Sequence, residues 1–209
     1  MRVLVLGATG GVGRLVVENA LKRGHEVTAL VRSPEKLGDL ASRIVTLKGD
    51  ALDPRAVGEA VSGQGAIIYA LGVGNVRHTT LFSDSTRVLL TAMSQHTVRR
   101  LICVTGVGAG ETKGHGGFLY DRLLYPLFTK GIYADKDRQE ALIRESQTDW
   151  TLVRPAAFRR ARPSGPLRIV TDVGNITLRR IARDEVAEFL VDELAQRKYA
   201  CQSVFIGHE

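Results

Sequence analysis

The chain has 209 residues, 44% of them apolar and 24% charged, the balance of a folded globule with a core and not of a disordered chain. No apolar run approaches the roughly 20 residues that span a bilayer, and Met1–Gly7 is too short an apolar stretch for a secretory leader, so no membrane partner and a cytoplasmic location are expected. The net charge of +7 is spread along the chain with short clusters at Arg99-Arg100, Arg159-Arg160 and Arg179-Arg180; without a basic stripe interleaved with aromatics, an anionic small molecule is a better expected partner than nucleic acid.

Val3 to Leu6 is a short, unbroken apolar run, as in a strand buried on both faces of a parallel sheet. Leu15, Val16, Ala20 and Leu21 then recur at helical spacing, and Gly24 gives the stop. Val27–Val31 and Ile44–Leu47 predict a second and third strand. Pro54 opens a short helix that Gly63 closes, and Ala66–Leu71 predicts a fourth strand. A helix over Leu81–His96 buries Val88, Leu89, Ala92 and Met93. Leu101–Val104 follows as strand five, then a helix over Ala134–Ser146 carrying Ala141, Leu142 and Ile143, then strand six at Trp150–Val153. The remainder predicts a strand near Leu167–Thr171, a helix over Asp184–Gln196 and a last strand at Ser203–Ile206. Strands alternating with helices predict an α/β fold, a Rossmann-type doubly wound parallel sheet with helices on both faces. No linker or repeat interrupts residues 1–209, so one domain is expected.

The first strand runs directly into Gly7-Ala8-Thr9-Gly10-Gly11-Val12-Gly13, where a helix begins. In that context Gly7 permits the tight turn, Gly10 lets the backbone approach a pyrophosphate, and Gly13 lets helix and strand pack closely. The helix start at Gly11 and Val12 offers N–H groups and a partial positive charge to phosphates, and Thr9 adds a hydroxyl. The spacing and placement predict dinucleotide binding. An acidic residue about 20 residues further on would bond the 2′-hydroxyl of NAD; this chain has Arg32-Ser33, with Lys36 nearby. A guanidinium and a hydroxyl suit a 2′-phosphate, so NADP(H) is expected over NAD(H). Cys103 and Cys201 have no pairing framework, the five histidines are scattered, and no metal is expected.

The glycine turn resembles that of the atypical short-chain dehydrogenase/reductases, in the group related to biliverdin reductase B and the NmrA-like proteins. The resemblance continues through Leu30-Val31-Arg32-Ser33, Lys48-Gly49-Asp50-Ala51-Leu52-Asp53 and Tyr69-Ala70-Leu71-Gly72. It extends to Lys136, Glu140, Ile143, Arg144 and Ser146, and to Trp150-Thr151-Leu152-Val153-Arg154-Pro155. It implies that Asp50 and Ala51 border the adenine, that Ala70, Leu71 and Gly72 lie along the cofactor, and that the segment from Pro155 onward lies near the nicotinamide. It also implies a Tyr-x-x-x-Lys pair with a hydroxyl after strand five. Lys136 stands at the lysine position, as a cofactor contact as well, but Ile132 stands where the phenol belongs and Tyr133 is three residues before the lysine. Residues i and i+3 share a helix face, so Tyr133, Lys136 and Thr105 are the candidate catalytic set. Where Gly106 stands, the flavin-reductase relatives are expected to have a serine.

Residues 118–133 hold five of the twelve aromatic residues and follow a glycine-rich stretch from Gly106 to Gly117. They suit either a mobile lid over a flat substrate or an amphipathic helix filling core or a dimer interface; a small cap is expected from about 106–133 and 156–180. Arg77 and His78 are further loop candidates. The functions in view are an NADPH-dependent oxidoreductase acting on a planar acceptor such as a flavin or quinone, from a monomer or homodimer, and a non-catalytic NADP(H)-binding sensor or assembly factor. A sugar-nucleotide epimerase or dehydratase ranks last, because little chain remains for a large substrate domain.

Overall fold

Alternate side chains of the first strand bury on opposite faces of one sheet, and this sets the layers of the molecule. The computed structural model describes residues 1–74, 76, 78–110, 130–174 and 176–209. Strand β1 (Arg2–Leu6) leads into helix α1 (Gly11–Lys22), then β2 (Glu26–Val31), β3 (Val45–Lys48), α2 (Pro54–Val61), β4 (Ala66–Tyr69) and α3 (Leu81–Gln95). After β5 (Arg100–Val104) come α4 (Lys130–Arg144), β6 (Asp149–Pro155), β7 (Ala157–Arg159), β8 (Arg168–Val170), β9 (Arg180–Ala182), α5 (Arg183–Gln196) and β10 (Gln202–Gly207).

Val3 and Val5 pack with Val16, Val17 and Ala20 of α1 and Leu190, Val191 and Leu194 of α5. Leu4 and Leu6 pack on the other face, with Val57 and Val61 of α2, Leu89 and Met93 of α3 and Ile143 of α4. A strand buried on both sides must be apolar at every position, and β1 has no polar residue from Val3 to Leu6.

The main sheet runs β3-β2-β1-β4-β5-β6-β10-β8. Every pairing in it is parallel except β10 with β8, so the doubly wound sheet carries one antiparallel edge strand. The chain steps outward from β1 to β3 and then crosses back to β4. The direction of winding therefore reverses between β1 and β4, and a crevice opens beyond their carboxyl ends.

Two features go beyond the apolar pattern. A 3-10 helix spans Pro34–Arg43, with Pro34 at its start and a break at Gly38, where φ is +56°. A second, two-stranded sheet pairs β7 parallel to β9, and β9 is bridged to the chain just past β10, where His208 N–H donates to Arg180 O at 2.8 Å. Strand four also stops at Tyr69, two residues earlier than its apolar run, although the Ala70 N–H still donates to Leu6 O at 2.8 Å. Part of the expected cap, 111–129, lies outside the described residues.

A buried ion pair ties the sheet to α5. Arg100 on β5 donates to a Glu193 carboxylate oxygen at 2.9 Å, to Asp149 O at 2.7 Å and to the Thr151 hydroxyl at 2.8 Å. The same Glu193 oxygen accepts from the Tyr199 N–H at 2.9 Å, which draws the turn before β10 against the helix. Removing one partner of a buried pair strands the other charge. Glu193→Ala should therefore lower stability by about 3–5 kcal/mol in urea unfolding, and the double change Arg100→Met, Glu193→Leu should recover most of that loss.

Candidate functional site

At the end of β1 the chain turns at Gly7, whose φ is +90°. A side chain there would also strike the Ala70 carbonyl of β4's exit, so both backbone conformation and space demand glycine. Gly10 N–H donates back to Gly7 O at 2.8 Å and closes the turn. Gly10 is then the N-cap of α1, with no side chain capping the helix. Gly13 is buried, and a Cβ on it would enter the Gly7 carbonyl. The first turn of α1 can rest on β1's exit only because of that, and it carries no acidic residue. Its amides, at Gly11 and Val12, face a cavity of about 710 Å³ that follows the carboxyl ends of the central strands.

One end of this cavity is basic. Arg32, at the exit of β2, and Lys36, in the 3-10 helix, are exposed and line it. Gly49, Asp50 and Ala51 form the adjacent wall. Asp50 accepts from Leu52 N–H at 2.9 Å, and Asp53 caps α2 through Arg55 N–H at 2.9 Å, so this wall is a fixed turn. Ser33 is the N-cap of the 3-10 helix and does not line the cavity. Thr9, Gly10, Ala70, Leu71 and Gly72 line the middle. Gly13 acts from behind the turn. Pro155 is buried, with its carbonyl accepting from Val107 N–H at 3.0 Å, and does not reach the cavity.

The other end holds Thr105, Tyr133 and Lys136, brought together as expected. Lys136 is buried and donates to the Thr105 carbonyl at 2.7 Å, with its ammonium 4.3 Å from the centre of the Phe82 ring. Burial lowers its pKa to about 8, against the opposing pull of Cys103, Glu140 and Asp135. A Cβ on Gly106 would lie 3.1 Å from the Tyr133 hydroxyl, so the phenol takes the room that a residue with a side chain would need at position 106. Thr105 departs most from expectation. Its hydroxyl donates to Glu140 at 2.8 Å, and Glu140 also holds Arg154 through Nε at 3.0 Å and Nη2 at 2.5 Å. The threonine proton is thus committed to a buried ion pair, and the residue fastens β5 to α4.

Helix α4 makes this end. Its buried residues are Asp135, Lys136, Gln139 and Glu140, with Ile143 further along, whereas Ala141 is exposed and Leu142 half-buried. Asp135 accepts from Phe82 N–H at 2.9 Å and from the Ser83 hydroxyl at 2.6 Å, satisfying the start of α3. That contact sets Leu81 and Phe82 into the cavity wall. Sequence reasoning missed these two, and also Phe158 of β7 and Arg183 of α5; no motif spacing connects them to the glycine turn. His78 is exposed and away from the cavity, and Arg77 and the aromatic residues 118–128 lie outside the described residues. Among the described residues, no three His, Cys, Asp or Glu side chains gather as a metal set, and no helix is long and apolar enough to cross a membrane.

A protein family described as NAD(P)H-binding matches residues 7–197. YwnB of Bacillus subtilis, an uncharacterised protein, is 30% identical over 166 residues, spanning 76% of this chain and 73% of its own. Among solved structures, a short-chain dehydrogenase/reductase from Veillonella parvula in complex with NADP superposes with a TM-score of 0.84 at 14% identity, covering 99% of this chain and 94% of that one. ChuY, an anaerobillin reductase from Escherichia coli O157:H7, superposes with a TM-score of 0.82 at 21% identity, covering 100% and 97%. These two likenesses show the fold.

If Thr105 serves the ion pair, Thr105→Val should cost about 1–2 kcal/mol in urea unfolding, and Thr105→Ser should restore most of it. A valine variant as stable as the wild type would free the hydroxyl for another role.

Proposed function

Because the chain belongs to the NAD(P)H-binding family, we propose that it is a cytoplasmic reductase that uses NADPH to reduce a planar small molecule such as a flavin or quinone. The observation that carries this reading is one continuous cavity, basic at Arg32 and Lys36, crossing the bare helix start at Gly11, and ending at Tyr133 and Lys136.

The residues present fit the cofactor. At Gly7 and Gly13 a Cβ would collide with backbone, so the turn keeps its N–H groups clear for a diphosphate. Arg32 and Lys36 supply charge for a 2′-phosphate. Asp50 and Ala51 border the adenine site. Lys136 spends one of its three donors on Thr105 O and has the others for ribose hydroxyls. The bound nicotinamide would supply a hydride. Tyr133, on the same face of α4 as Lys136, would give a proton to the conjugated acceptor atom on which hydride uptake leaves negative charge, and be reprotonated from solvent. The acceptor gains one hydride and one proton in all.

The spacing of three between Tyr133 and Lys136 also favours a second reading, a non-catalytic NADP(H)-binding sensor or assembly factor. Mixing the protein with NADPH and a panel of flavins and quinones separates them. Loss of the reduced-nicotinamide absorbance with any acceptor supports the reductase, whereas tight binding without turnover supports the sensor.

Two binding measurements follow from the residues. Arg32→Glu should weaken NADPH by about 10- to 100-fold and NADH by far less; equal weakening of both contradicts the role of Arg32. The Lys136 ammonium loses its proton as pH rises through about 8. NADPH affinity should therefore be full at neutral pH and fall above about pH 8, by at most about tenfold per pH unit, and the fall should vanish in Lys136→Met.

A further inference from the structure

Arg183 is the first residue of α5, and its side chain crosses to the glycine turn. Its Cδ and Nε would lie 3.1 Å from a Cβ built on Gly11, so the absence of a side chain at position 11 admits it. The guanidinium sits 4.8 Å from the ring centre of Phe158, on β7, whose partner β9 feeds α5. It lines the same cavity as Gly10 and Gly11.

The start of α5 is offset by its own Asp184 and Glu185, whereas the N-terminus of α1, with no side-chain cap and no acidic residue in its first turn, adds partial positive charge beside the exposed Arg183 guanidinium. The acidic residues that would offset it are engaged elsewhere. Arg162 takes Asp184 at 2.6 Å and Glu188 at 2.5 Å, and Glu185 accepts from the Ala182 N–H at 2.9 Å while facing His208 Nε2 at 2.9 Å. Among the described residues no carboxylate pairs with Arg183. The guanidinium held on the Phe158 ring and the uncapped start of α1 meet at this cavity, and an anion there would pair with both.

We infer that Arg183 binds the cofactor's pyrophosphate beside the glycine turn, with Phe158 holding the guanidinium in place. This rests on the cofactor reading above and adds a residue to it. An anionic group on the acceptor would have the same charge, but the contact at Gly11 favours the diphosphate, which the α1 amides also address.

Three ligands separate the possibilities by isothermal titration: NADPH, ADP-ribose, which keeps the pyrophosphate without nicotinamide or 2′-phosphate, and 2′-AMP, which lacks the pyrophosphate. Arg183→Ala should weaken NADPH and ADP-ribose by about tenfold, the loss of one charge-assisted contact, and leave 2′-AMP unchanged. Arg183→Lys should recover part of the loss, because charge remains and the planar fork does not. Without ligand, Arg183→Ala should melt no lower than wild type, yet gain less on saturation with NADPH. Unchanged ADP-ribose affinity, even with a raised KM for an anionic acceptor, overturns the inference and leaves the cofactor reading standing. Equal weakening of 2′-AMP overturns it too. A wild-type protein that binds none of the three would instead remove the cofactor reading, and this inference with it.

Discussion

The Gly7 carbonyl oxygen occupies the place where a side chain at position 13 would begin. That single contact lets the first turn of α1 lie directly on the exit of β1. It also points the uncapped amides of the helix into the crevice between β1 and β4, where the sheet's winding reverses. The positive φ of Gly7 and its contact with the Ala70 carbonyl bring β4's exit against the same turn. Cavity floor, helix terminus and strand ends are thus fixed by backbone meeting backbone, with no side chain to yield.

The far end of the cavity is held by the opposite means, long side chains reaching from one helix. Along α4, Asp135 reaches α3, Lys136 the Thr105 carbonyl, Asp137 the Gly110 N–H at 2.9 Å, Gln139 the Thr86 hydroxyl at 2.9 Å, and Glu140 both Thr105 and Arg154. Buried charges cost desolvation and are retained only with partners, and here each has one on a different element. The arrangement positions Lys136 and Tyr133 to within the freedom of a rigid helix. It also explains why Thr105, in the expected position after β5, has its proton turned inward.

How much of this was legible varies with the origin of the signal. The strands of the main sheet are apolar runs between turn residues, and the glycine turn is a local pattern in local context, so the fold and the glycine-turn end of the cavity can be read directly. The 3-10 helix was hidden because Pro34 and Gly38 read as loop and its apolar anchors are only Leu37 and Leu40. The apolar pattern of helix α4 marks only part of its inner face. Of Ala141, Leu142 and Ile143 only Ile143 is buried, and the rest of the inner face is Asp135, Lys136, Gln139 and Glu140, a pattern that periodicity assigns to solvent. Phe82, Phe158 and Arg183 come from three elements distant in sequence, and only the assembled sheet puts them at one cavity.

A nitrogen-15 NMR titration with NADPH tests the placement of the cofactor on the glycine turn most directly. Binding as described should shift the amides of Gly10, Gly11 and Val12 most strongly, together with the Arg32 side chain and residues flanking Lys136, while the amides of α2 and the β8 edge stay in place. Saturable binding that leaves the Gly10–Val12 amides unmoved would contradict it.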